Sequence, residues 1–110
     1  MTSRNKLSTV IFGRRLRQVR QRHNLAQDEL GVMAGLEESS SSARISRYES
    51  GIHEPPFQFV EALANVLHVS PAYFFCPDDR LADIILVYSG LSESKRQALY
   101  QAAEEFSEQK

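Results

Sequence analysis

The sequence predicts an all-α fold, and three observations carry that prediction. Apolar residues recur at spacings of three and four along most of the chain, the period of one helix face. No stretch alternates apolar and polar residues as a half-buried strand would. Glycine, proline and asparagine fall between the periodic runs, where helices start and stop.

Residues 1–6 are polar and are expected to form a flexible N-terminal arm. A first helix is expected from Ser8 to His23, with Phe12, Leu16 and Val19 on one apolar face. Arg14, Arg15, Arg17 and Arg22 fall largely outside that stripe, and Asn24 suits a left-handed terminator. A second helix is expected from Gln27 to Ala34, with Leu30, Met33 and Ala34 inward and Gly35 ending it. Asp28 and Glu29 in its first turn complement the helix dipole. Residues Glu37 to Ser42 read as a loop.

A third helix is expected over Ala43 to Ser50, capped by Ser42 and stopped by Gly51. Ile45, Tyr48 and Glu49 share one side. Ser42, Arg44, Ser46 and Arg47 are left for solvent or a ligand. Pro55-Pro56 delay the next helix to Phe57. That helix runs to Leu67, with a core stripe of Val60, Leu63, Ala64 and Leu67. Ser70-Pro71 open a short fifth helix that delivers Tyr73, Phe74 and Phe75 to the core. Two appended helices follow. Leu81 to Tyr88 is apolar on most sides, and Ser92 caps a last helix to Phe106 with Leu99, Ala102 and Phe106 on one face.

The 110 residues suit one domain with an appendage. A single cysteine, Cys76, excludes an intramolecular disulfide and suits the reducing cytoplasm. No apolar run approaches the roughly 18 residues needed to span a membrane. Met1 to Lys6 lacks the apolar core of a signal peptide. His23, His53, His68 and Cys76 show no metal-ligand spacing. No phosphate-binding glycine loop or catalytic triad is present either. No enzyme activity, cofactor or metal is therefore expected.

Charge divides the chain. Residues 1–50 carry nine Lys/Arg against five acids, and residues 51–110 carry four against nine. A basic half joined to an acidic half suits a protein that meets phosphate at one end. Two short helices flank a glycine turn between Leu25 and Gly51, the arrangement of a helix-turn-helix. Arg44 and Arg47 stand three apart on the second of them, and each can give a bidentate pair to guanine. Arg14, Arg15 and Arg17 are placed to reach phosphates from the first helix, and Ser39–Ser42 read as a flexible linker.

From Phe12 to Phe75 the chain resembles the lambda-repressor-like family, also called Xre or Cro/CI-type helix-turn-helix regulators. The residues that carry the resemblance are Arg14, Leu16, Arg17 and Arg20, then Leu25, Gln27 and Leu30, then Ala34-Gly35. Ile45-Ser46-Arg47-Tyr48-Glu49, Gly51, Pro55, Val69-Ser70 and Tyr73-Phe74 complete the order. The resemblance implies a five-helix DNA-binding domain, here residues 7–76, followed by a dimerisation tail, residues 77–110. It implies base reading by Ser42, Ala43, Arg44 and Arg47. It assigns a phosphate contact to Gln27, which joins Arg14, Arg17 and Ser46 as the expected phosphate contacts, and an ion pair to Arg20 and Glu49.

Three departures from the family stand out. Ala26 replaces the usual hydroxyl cap of the second helix. Ile45 follows Gly35 by ten residues, about four more than the family spacing, so the turn is expected to be long and serine-rich. The loop after Gly51 reads Ile52-His53-Glu54 rather than basic.

These readings together imply a cytoplasmic repressor that binds inverted repeats in double-stranded DNA as a homodimer. Leu81, Ile84, Ile85, Tyr88, Leu99 and Phe106 are the expected dimer contacts. An antitoxin or phage-type repressor working with a protein partner, or an adaptor on the same fold, remain as alternatives.

Overall fold

The computed structural model describes residues 2–109, with side chains from Leu7 onward. Six α-helices and one 3-10 turn follow each other in chain order: α1 Thr2–Arg22, α2 Gln27–Met33, α3 Glu38–Glu49 and α4 Phe57–Leu67, then the 3-10 turn Pro71–Phe75, α5 Asp79–Ser89 and α6 Glu93–Glu108. No strand occurs among the described residues.

One core holds the first five elements together. Phe12, Leu16 and Val19 of α1 meet Leu30 of α2, Ile45 and Tyr48 of α3 and the full α4 stripe. Tyr73 and Phe74 close the base, with Phe12 and Phe74 ring centroids 5.1 Å apart. Phe75 packs its ring against Phe12 but stays partly exposed. α4 occupies the expected span, because Pro56 fixes its entry and His68 leaves it with a positive φ of 55°. Asn24 does the same after α1.

Several expectations are corrected. α1 begins at Thr2 rather than Ser8, since no glycine or proline precedes Gly13 to stop it. The expected arm is therefore helical in its backbone from Thr2; Met1 lies outside the described residues. Met33 is exposed rather than inward, because Leu30 and Gly31 face the core instead.

The largest correction concerns the serine run. Residues 38–42 are the first turns of α3, not a loop, and the N-cap is Glu37 rather than Ser42. Four extra residues are close to one helical turn. They therefore lengthen α3 without rotating its buried face: Ser41 lies one turn before Ile45 and shares its side. Ser41 is fully buried and donates its hydroxyl to the Asp28 carbonyl at 2.8 Å. It fits only because position 31 is glycine. A Cβ there would sit 1.9 Å from Ser41 Oγ.

α2 lacks a hydroxyl cap, but the Glu29 carboxylate accepts the Ala26 N–H at 2.8 Å. Half of a capping box thus survives.

The tail differs from the body. Asp78 caps α5 by accepting the N–H groups of Arg80 and Leu81. Of α5, Ala82 alone is buried, and α6 buries no residue. Arg96 ties α6 to the end of α5, donating to the carbonyls of Tyr88 and Ser89 at 2.9 and 2.7 Å.

Candidate nucleic-acid interface

The ends of α1, α2 and α3 are held by one network. Arg20 of α1 pairs both carboxylate oxygens of Glu49 of α3, one at 3.1 Å, and donates to the Leu25 carbonyl at 2.8 Å. Gln27, the first residue of α2, donates its amide to Glu49 Oε1 at 3.0 Å. The ion pair is largely buried, its side chains 12% and 6% exposed. A buried pair of this kind adds little net stability but fixes geometry, since either partner alone would be stranded.

Gly13 tightens the same junction. A Cβ on it would lie 2.4 Å from the Glu49 carbonyl oxygen and 2.6 Å from that of Tyr48. Only glycine lets α1 cross the end of α3 so closely. Thus the orientation of α3 is set at one end by Gly13 and the ion pair, and at the other by Gly31 and Ser41.

With Ser41, Ile45 and Tyr48 inward, the helical period of 100° per residue points Ser39, Ala43, Ser46, Arg47 and Ser50 outward. All five are exposed. Most are small, so a groove floor can come close, and Arg47 supplies a long donor in their midst. The Arg47 side chain makes no hydrogen bond or ion pair among the described residues. Ser42 and Ala43, expected at the start of the helix, lie in its second turn and are exposed. Arg44 is exposed but leans along the helix: its guanidinium donates to the Tyr48 hydroxyl at 3.1 Å and lies over that ring. Tyr48 in turn packs on Phe59 of α4. Arg44 therefore flanks the outward stripe, while Arg47 stands within it.

Arg17, Arg20, Gln27, Ser46, Glu49 and Ser50 line a cleft where the three helices meet. Arg17 and Ser46 thus stand beside Gln27. Arg14 is exposed farther along α1 and comes within 3.9 Å of Asp79.

Arg15 leaves the phosphate set. Its side chain is 3% exposed and turned into the body. It sits three residues after Phe12 and four before Val19, so it belongs to the buried stripe. That spacing was the available signal, and the basic run around it obscured it. Beside Arg15, burial raises the Tyr73 phenol above its usual 10.0, with the neighbouring Arg15 charge pulling the other way. Gly13, Gly31 and Ser41 were also missed; a glycine inside each of two helical patterns was the only sign of close crossings.

The expected dimer residues are placed as follows. Leu81, Ile84, Tyr88 and Phe106 are exposed, and Ile85 and Leu99 are half-buried. No group of three or more potential metal ligands occurs among the described residues. No helix among them is long and apolar enough to cross a membrane.

A two-helix unit locked by an arginine–glutamate pair, with a bare outer helix face, defines a helix-turn-helix protein. The helix-turn-helix domain profile matches residues 11–73. The crystal structure of transcriptional regulator BswR is similar at 40% identity and a TM-score of 0.79, covering 84% of this chain and 92% of that one. The chain belongs to the Xre-like helix-turn-helix regulator family. No curated protein matches it.

Proposed function

We propose that this protein is a sequence-specific DNA-binding transcriptional regulator, a repressor that binds an inverted repeat in double-stranded DNA as a homodimer. The observation behind this reading is the outward stripe of α3, held in place by Gly13 and the Arg20–Glu49–Gln27 network. Arg47 has the reach for guanine O6 and N7, and Ala43 suits contact with a thymine methyl. Ser42 and Arg44 read from the flanks. Gln27, Arg14, Arg17 and Ser46 contact phosphate and position the helix.

Dimerisation has a physical motive. One short helix reads few base pairs, and two linked copies multiply specificity. Leu81, Ile84, Ile85, Tyr88, Leu99 and Phe106 of residues 77–110 form the contact between copies. The protein works in the cytoplasm, where the Cys76 thiol stays reduced.

Selection from a random duplex library at physiological salt tests this reading. Recovery of an inverted repeat with a salt-dependent affinity is the expected result. No recovered motif, and no affinity at low salt, would overturn it. A second reading, favoured by the exposed apolar residues of α5 and α6, then takes its place: a protein partner, as for an antitoxin or adaptor.

A further inference from the structure

Body and tail meet at one buried cation. Arg15 projects from α1 between Phe12 and Val19 into the joint before α5. Its Nε donates to the Cys76 carbonyl at 2.8 Å. Its Nη2 donates to the Pro77 carbonyl at 3.3 Å and to Asp79 Oδ1 at 2.9 Å. Its Nη1 donates to Gln18 Oε1 at 3.1 Å, and the guanidinium lies 5.8 Å from the centre of the Tyr73 ring. Cys76 ends the 3-10 turn of the body, and Asp79 is the first residue of α5. One planar group therefore grips the last residue of one unit and the first helical residue of the next.

One other directed contact reaches α5, at its far end, where the Ser89 hydroxyl accepts the Ser70 N–H at 3.2 Å; that bond is exposed, whereas the Arg15 bond to the Cys76 carbonyl is buried. Ala82 is the one buried residue of α5, with Ile85 and Leu86 partly packed on the core. So small an apolar contact constrains the angle of α5 weakly and leaves the rest to directed hydrogen bonds. The five donors of a guanidinium have fixed directions. They fix the direction in which α5 starts.

We infer that Arg15 is a positioning residue that sets the angle between the α2–α3 reading unit and the dimerising tail, and hence the half-site spacing this protein accepts. The inference rests on the dimeric regulator reading above. A rigid joint admits one separation of reading helices. A loosened joint admits neighbouring separations and lowers the effective concentration at each.

The test is selection and affinity measurement with the full chain on inverted repeats whose half-sites are separated by successively longer spacers. Wild-type protein is expected to prefer one spacing. Arg15→Lys keeps the charge and loses the fork. Asp79→Ala removes one acceptor, from a side chain that is 80% exposed, and leaves Gln18 and the Cys76 and Pro77 carbonyls to accept from Arg15, so it is the milder change should Arg15→Lys fail to fold. Both are expected to remain dimeric and to bind a single half-site within about twofold of wild type, while the advantage of the preferred spacing falls about tenfold. Wild-type spacing preference retained in a folded Arg15→Lys, or in Asp79→Ala where Arg15→Lys does not fold, overturns the inference alone. Wild-type protein that selects no repeat overturns the regulator reading, and the inference with it.

Discussion

Fourteen of the fifteen buried hydrophobic residues among those described lie between Phe12 and Cys76; Ala82 is the other. The body and the tail are nevertheless similar in their apolar patterning. Leu81, Ile84, Val87 and Tyr88 of α5 repeat at helical spacing, as the body's core residues do, yet all four are exposed, as are Tyr100 and Phe106 of α6. A lone helix of 16 residues is near the length at which helices are marginal in water. The difference teaches that equal patterning can serve two ends. In the body each stripe has a partner within the chain. In the tail the stripes lie open, and in the reading proposed above a second copy covers them.

The most severe way to break the body is at its buried pair. Arg20→Ala leaves the Glu49 carboxylate, 6% exposed, with Gln27 alone. The expected loss is about 3–5 kcal/mol of stability in denaturant titration, together with weakened DNA affinity as α3 loses its anchor. Unchanged unfolding with unchanged affinity would reject the anchoring role.

The tail should break without the body. Ile84→Glu combined with Phe106→Ser places a charge and a hydroxyl on its exposed stripes. Sedimentation is expected to show monomers, and affinity for a two-half-site duplex to fall by about a hundredfold or more. Melting of the body should hold, because neither residue is buried and exposed substitutions usually act within about 0.5 kcal/mol. A dimer that survives this double change would place the contact elsewhere.

Gly13→Val returns to the body with a smaller cost. Its Cβ would meet backbone atoms at 2.4 and 2.6 Å rather than a movable side chain. Overpacking of this kind costs about 2 kcal/mol. Gly90→Val in the tail is the contrast, since the nearest atom to a Cβ there is 3.7 Å away. Equal losses at the two glycines would show that close approach does not decide position 13.

What could be read in the sequence follows the same division. The α4 stripe, the breaks at Asn24 and Gly35, and the Arg20–Glu49 pairing implied by the family resemblance were legible because each is a local pattern or a spaced motif. The serine run was not. Serine competes with the helix through its own hydroxyl and favours caps and turns, so residues 38–42 looked like linker. They are helical because an added turn returns Ser41 to the face of Ile45, under a glycine ten residues away. That fit is tertiary, and neither segment announces it alone. Arg15 escaped for a related reason: a charged residue within a basic run looks like surface until the carbonyls that receive it are known.

The smallest expected effect sharpens the comparison by strengthening only one side. Ala26 has the extended backbone of an N-cap, φ −75° and ψ 160°, and its N–H is already accepted by Glu29. Ala26→Ser adds an oxygen able to accept the N–H of Glu29, completing the reciprocal pair. The body should gain about 1 kcal/mol, seen as a higher urea midpoint at unchanged slope. Dimerisation should not move, since α2 is remote from α5 and α6 in the chain and shares no hydrogen bond with them. A gain in the body that also tightened the dimer would mean that the two units fold as one, and that the tail's exposed stripes help to stabilise the core after all. A midpoint left where it was would mean that the Glu29 carboxylate, acting alone, already satisfies this end of α2.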